Sequence, residues 1–165
     1  MRRITPLKRI TPLLCFDGKA GEAMKFYMGI FRDSKIVEVM LKGNQLEGVI
    51  FRLNGQEFIA LNGSPESKFT PAVAFHVTCK TQREINTLWE KLSEGGSKGQ
   101  CGWLTDKYGL TWLIVPKALG DLMWGAKDAG QKERVWNALM QMTKIDIKAL
   151  KRAANQKSFD PKLKW

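Results

Sequence analysis

Apolar residues along this chain switch between two spacings, and the order of the switches occurs twice. Leu13 to Phe16 is a short apolar run that predicts a strand. Asp17-Gly18-Lys19 interrupts it, and Ala23, Phe26, Tyr27, Ile30 and Phe31 then fall at helical spacing. From Ser34 to Leu41 the apolar positions Ile36, Val37, Val39 and Leu41 predict a strand, closed by Gly43-Asn44. Gly48–Leu53 and Gln56–Leu61 flank Asn54-Gly55, a pair that favours a type I′ hairpin turn because both of its residues need positive φ. Residues 62–70 read as a polar loop.

The same order then returns. Ala72–Thr78 predicts a strand, and Thr81 with Glu84 forms a capping-box pattern ahead of a helix through Ile85, Leu88, Trp89 and Leu92. Gly95-Gly96 stops that helix. A short strand over 99–104, a turn at Asp106–Gly109 and a strand over 110–115 complete the unit, which Pro116 ends. The predicted organisation is a basic arm (1–8), a first module (9–63), a second module (70–117) and a helical extension (118–165). In the extension, a helical segment near Ala118–Trp124 precedes a longer helix from about Gln131, with Val135, Leu139, Met142, Ile145 and Leu150 as its apolar stripe. The arm holds one copy of a short duplication: Arg3-Ile4-Thr5-Pro6-Leu7 returns as Arg9-Ile10-Thr11-Pro12-Leu13, and only the second copy runs into a strand.

Composition changes the picture only in part. A length of 165 residues with 44% hydrophobic content suits one α+β domain, or two halves sharing a core. The net charge of +11 suggests polyanion binding, but its placement argues otherwise. Of 27 basic and 16 acidic residues, the segments 1–9 and 131–165 hold 13 and 3, leaving 14 and 13 in a nearly neutral body. Nucleic acid is therefore not the expected partner. No run approaches the ~18 apolar residues of a membrane span, and the first residues lack the apolar stretch of a secretory leader. Three widely spaced cysteines, Cys15, Cys79 and Cys101, suit reduced thiols, so a cytoplasmic location is expected.

Two blocks carry a family resemblance. Residues Ile10-Thr-Pro-Leu-Leu-Cys-Phe-Asp-Gly18, with Ala23-Met-Lys-Phe-Tyr27 and Phe31, resemble the opening of PhnB-like proteins. The later block, Gly99-Gln-Cys-Gly-Trp-Leu-Thr-Asp-Lys-Tyr-Gly-Leu-Thr-Trp-Leu-Ile-Val-Pro116, is similar to the second module of the same group. These proteins belong to the vicinal-oxygen-chelate superfamily, with glyoxalase I and the fosfomycin and bleomycin resistance proteins. The resemblance, taken to span about residues 9–152, implies two βαβββ modules, a curved eight-stranded mixed sheet with extra C-terminal helices, and a homodimer. The group is often labelled a 3-demethylubiquinone-9 3-methyltransferase domain. However, no glycine-rich loop between strand and helix, followed by an acid about 20 residues on, supports a Rossmann-type nucleotide site.

The resemblance also indicates where metal ligands would sit. The second-module positions fall on Ala72 and Leu113, neither of which can bind a metal. In the first module the strand 10–16 has no His or Glu, and the fourth strand has only Glu57 at its edge. No metal or other cofactor is expected. The one histidine, His76, shares a predicted strand face with Ala72 and Ala74. It reads either as a cavity wall or as a general acid/base or hydrogen-bond donor. Cys101, beside Trp103, reads either as an inert buried thiol or as a reactive one. Trp112 should pack under a helix, opposite Leu113. The expected cavity comprises Phe58, Asn62, Ala72, Ala74, His76, Cys101, Trp103 and Leu113. Its expected occupant is a small, partly apolar molecule. An enzyme of the same superfamily, metal-dependent or using His76 or Cys101, is the alternative; polyanion binding through the basic ends is the third reading.

Overall fold

A computed structural model describes residues 10–126 and 129–156. The chain divides after Lys68 into two compact units, each built on strand–helix–three strands. The expected βαβββ modules are present, and their eight strands are hydrogen-bonded as two four-stranded mixed sheets. The arm at residues 1–8 and the basic tail from 157 lie outside the described residues.

In the first unit, β1 (Leu13–Phe16) leads to α1 (Ala20–Ile30), then β2 (Ser34–Lys42), β3 (Gln45–Leu53) and β4 (Gln56–Asn62). The sheet order is β1-β4-β3-β2, with β1 and β4 parallel and the other pairs antiparallel. Asn54 and Gly55 have φ of 45° and 81°, as the type I′ turn requires. The register pairs Phe51 with Phe58 and Val49 with Ala60. All four are buried, together with Ala23, Met24 and Tyr27 of α1, which packs on β3 and β4.

In the second unit, β5 (Ala74–Cys79) precedes α2 (Gln82–Ser93), then β6 (Ser97–Lys98), β7 (Trp103–Thr105) and β8 (Thr111–Pro116). The order is β5-β8-β7-β6, with β5 and β8 parallel. The Thr81 capping box forms as expected: the Thr81 hydroxyl accepts from Glu84 N, and the Glu84 carboxylate reaches back to Thr81 N. Leu104, Trp112 and Ile114 are buried on the face that α2 covers with Ile85, Trp89 and Leu92.

Among the strand boundaries that differ from the sequence reading, two bear on the site. Ala72 and Val73 lie in a turn before β5, where the Val73 amide is spent on Thr70 O at 3.4 Å. The expected strand over 99–104 is a hairpin, with a turn between β6 and β7 that places Cys101 at φ 56° and Gly102 at φ 86°. A Cβ on Gly102 would stand 2.5 Å from Ile114 O, so glycine is required at that approach.

The extension forms α3 (Lys117–Trp124), α4 (Ala129–Met140) and α5 (Ile147–Asn155). The single helix expected from about Gln131 is broken at 141–146. There Asp146 caps α5, accepting from Ala149 N at 2.8 Å, a side-chain bond that competes with helix continuation. The apolar stripe survives the break, since Val135, Leu139, Ile145 and Leu150 share one buried cluster. Gln82 anchors the extension to α2: its amide donates to Ile145 O (3.0 Å) and accepts from Ile147 N (2.9 Å). Cys101 N and Gly102 N donate to Met142 O and Thr143 O, both at 2.7 Å. Among the described residues no helix is long and apolar enough to cross a membrane.

Candidate functional site

The expected cavity residues belong to both units, Phe58 and Asn62 to the first and the others to the second. Phe58 and Asn62 alternate onto the α1 side of the first sheet. Phe58 stacks on Phe51 with ring centroids 5.6 Å apart, a core pair. The Asn62 side chain accepts from Ala20 N (2.9 Å) and donates to Leu46 O (2.8 Å), so it satisfies one of the free amides at the start of α1. Glu57, which looked like an edge residue, lies on the opposite face, is buried, and pairs with Arg52. That cross-strand pair follows from the Asn54-Gly55 hairpin register, a signal the sequence already carried.

In the second unit, strand pairing puts Ala74, His76 and Thr78 of β5 on one face with Leu113 and Val115 of β8 and Trp103 of β7. This is the face turned away from α2. Trp112 takes the other face, where its indole N–H donates to Asp106 Oδ2 at 2.8 Å and its ring lies 5.4 Å from Phe75. Asp106 is buried, and its carboxylate also accepts from Tyr108 N and Leu110 N, so it organises the β7–β8 turn. Ala72 precedes the strand and takes no part in this pairing.

Cys101 is not on a strand and packs against the extension. Its Sγ is 3.5 Å from Leu139 O and 4.0 Å from Met140 Sδ. No hydrogen bond joins it to His76 among the described residues. His76 is exposed, and its Nδ1 lies 3.5 Å from Thr78 Oγ1. No carboxylate among the described residues is hydrogen-bonded to the imidazole, so the arrangement lacks the acid that usually orients a catalytic histidine. Cys79 is buried, and burial, reinforced by the negative charge of Glu84, pushes its thiol up to about 11. Among the described residues no three His, Cys, Asp or Glu side chains gather as a metal site would need.

The extension covers one end of the His76 face and makes a cavity of about 350 Å³ there. The sheet supplies His76, Thr78 and Val115. Helix α3 brings Lys117, Leu119, Met123 and Trp124, and α4 brings Trp136 and Leu139. Sequence reasoning missed the residues from α3 and α4. The tryptophans of those two helices, Trp124 and Trp136, were the available signal.

A sequence profile described as 3-demethylubiquinone-9 3-methyltransferase matches residues 8–115. A solved PhnB protein from Bacillus cereus, given the same methyltransferase description, is 36% identical; the match covers 66% of this chain and 99% of that one, with a TM-score of 0.62. The chain belongs to this PhnB-like family. Two further structures share the fold at lower identity. A protein from Pseudomonas aeruginosa is 17% identical over 67% of this chain and 98% of its own, with a TM-score of 0.58. The fosfomycin resistance protein FosX from Mesorhizobium loti is 8% identical over 67% of this chain and 92% of its own, with a TM-score of 0.51. No curated protein matches the chain. The profile ends at residue 115, short of the 152 expected, so α3, α4 and α5 lie beyond the PhnB-like core.

Proposed function

We propose that this PhnB-like protein binds a small, partly apolar molecule against the His76 face of its second sheet, without a metal ion. The supporting observation is the cavity beside His76. Its walls are mainly aliphatic and aromatic, and a few polar groups, His76, Thr78 and Lys117, converge on it. Ligand sites commonly have this make-up. At the positions where the family resemblance would put metal ligands, this chain has Ala72, in a turn, and Leu113, on a strand. In this reading Ala74, Leu113 and Trp103 extend the binding face beyond the cavity, while His76 donates or accepts a hydrogen bond. Cytoplasmic location and pairing as a homodimer belong to the same proposal. Ile36, Val39 and Leu41, exposed on the edge strand β2, would be the first residues to substitute if sedimentation detects a dimer.

The test is native mass spectrometry and metal analysis of protein purified without a histidine tag. The expected result is a small organic adduct that leaves on denaturation, with no stoichiometric divalent ion. An ion held near one per chain would overturn the metal-free reading.

A further inference from the structure

The α3–α4 extension does more than enlarge the cavity, because it changes the cavity's chemistry. The β-strand residues at the floor, Val115 and Thr78, could accept almost any small apolar molecule. The additions from beyond residue 115 are two indoles and a cation. Trp124 is 82% and Trp136 50% exposed, yet both line the same cavity. Large rings left in water beside a concavity indicate a surface that something planar covers. Lys117 lines the same cavity and forms no ion pair among the described residues. Lys132 adds positive charge next to it, with its ammonium 5.0 Å from the centre of the Trp124 ring. Among the described residues no carboxylate lines the cavity. The polar side chains among its described lining residues are Lys117, His76 and Thr78, each able to donate to an anion. A volume of about 350 Å³ lies at the small end of the roughly 300–1,000 Å³ range of ligand pockets, which suits one or two fused rings.

We infer that the cavity takes a small aromatic carboxylate, with its ring against Trp124 and Trp136 and its carboxylate towards Lys117 and His76. This rests on the cavity-binding reading above and specifies the ligand class. Lys117, Trp124 and Trp136 are specificity residues contributed by the extension.

The experiment is a calorimetric titration of the full chain with three naphthalene probes of the same shape: 1-naphthoate, 1-naphthylmethanol and 1-naphthylmethylammonium. The carboxylate should bind about tenfold more tightly than the alcohol, a difference of about 1.4 kcal/mol, and the ammonium should bind worst. Lys117→Gln should remove most of that preference, weakening the carboxylate far more than the alcohol. Trp136→Ala should weaken the carboxylate and the alcohol alike. Both side chains are exposed or half-exposed, so neither substitution threatens folding. Equal affinity for carboxylate and alcohol, or tighter binding of the ammonium, would overturn the ligand class and leave cavity binding standing. Failure of all three probes to bind would sink both readings.

Discussion

Single residues in this protein separate into those that hold the fold and those that face the cavity, and chain position alone does not sort them. Asn62 and Phe58 stood among the expected cavity residues, each with a plainer reading beside it, Asn62 as a loop cap and Phe58 as core. Alternation along β4 sends both to the α1 side, one as a helix cap and one as core. Asp106, by contrast, was legible as turn chemistry, and the buried carboxylate does organise that turn. Cysteine chemistry depends on burial, which the sequence cannot show. The Cys79 thiol, at about 11, stays protonated and inert near neutral pH, whereas Cys15 and Cys101 are partly accessible. Alkylation of the native protein at neutral pH should therefore label Cys15 and Cys101 and spare Cys79, as peptide mass mapping would show; early labelling of Cys79 would contradict its burial. The same shift gives a pH dependence. The unfolded thiol ionises near 9.0 and the folded one near 11, so between those values the unfolded state holds fewer protons. This contribution to stability is full below about pH 9 and declines as pH rises towards 11.

At the scale of elements, the hairpin, the capping box and the repeated strand–helix–strand order were all readable because each has a local cause. Asn54-Gly55 sets a turn, and Thr81 with Glu84 starts a helix, whatever the rest of the chain does. The break between α4 and α5 was not readable. An unbroken apolar stripe runs through it, and only Asp146's cap and the contacts to residues 101–102 show where the backbone turns. Gln82 is the hinge of that arrangement, since one amide side chain serves both Ile145 O and Ile147 N. Gln82→Ala should cost roughly 1–3 kcal/mol in urea unfolding, because it leaves two partly buried backbone groups without a partner. Hydrogen exchange should quicken over residues 141–156 and stay unchanged in β8. Equal acceleration in both would mean that the extension and the sheet open as one.

For the whole molecule, the duplicated module was the strongest signal in the sequence, and family membership follows from its two blocks. Function was less legible for a physical reason. The cavity beside His76 is built mostly by α3 and α4, which lie outside the region shared with the PhnB-like family. Sequence resemblance therefore covers the strand residues of that cavity, His76, Thr78 and Val115, and stops before the helices that complete it. Electrostatics at this scale are also local: Glu90, exposed on α2, is held below the usual carboxylate range first by its hydrogen bond from Lys98 and then by the charges of Lys98 and Lys144. Such pairs decorate the surface and add little to stability.

The central claim is that ligands bind on the His76 face under the extension. The most direct measurement is the set of indole N–H resonances in ¹⁵N-labelled protein titrated with 1-naphthoate. The signals of Trp124 and Trp136 should move, with a smaller response from Trp103. Those of Trp89 and Trp112, on the α2 side of the sheet, should hold still. Movement of Trp89 or Trp112 with Trp124 and Trp136 unchanged would place binding elsewhere and contradict the account.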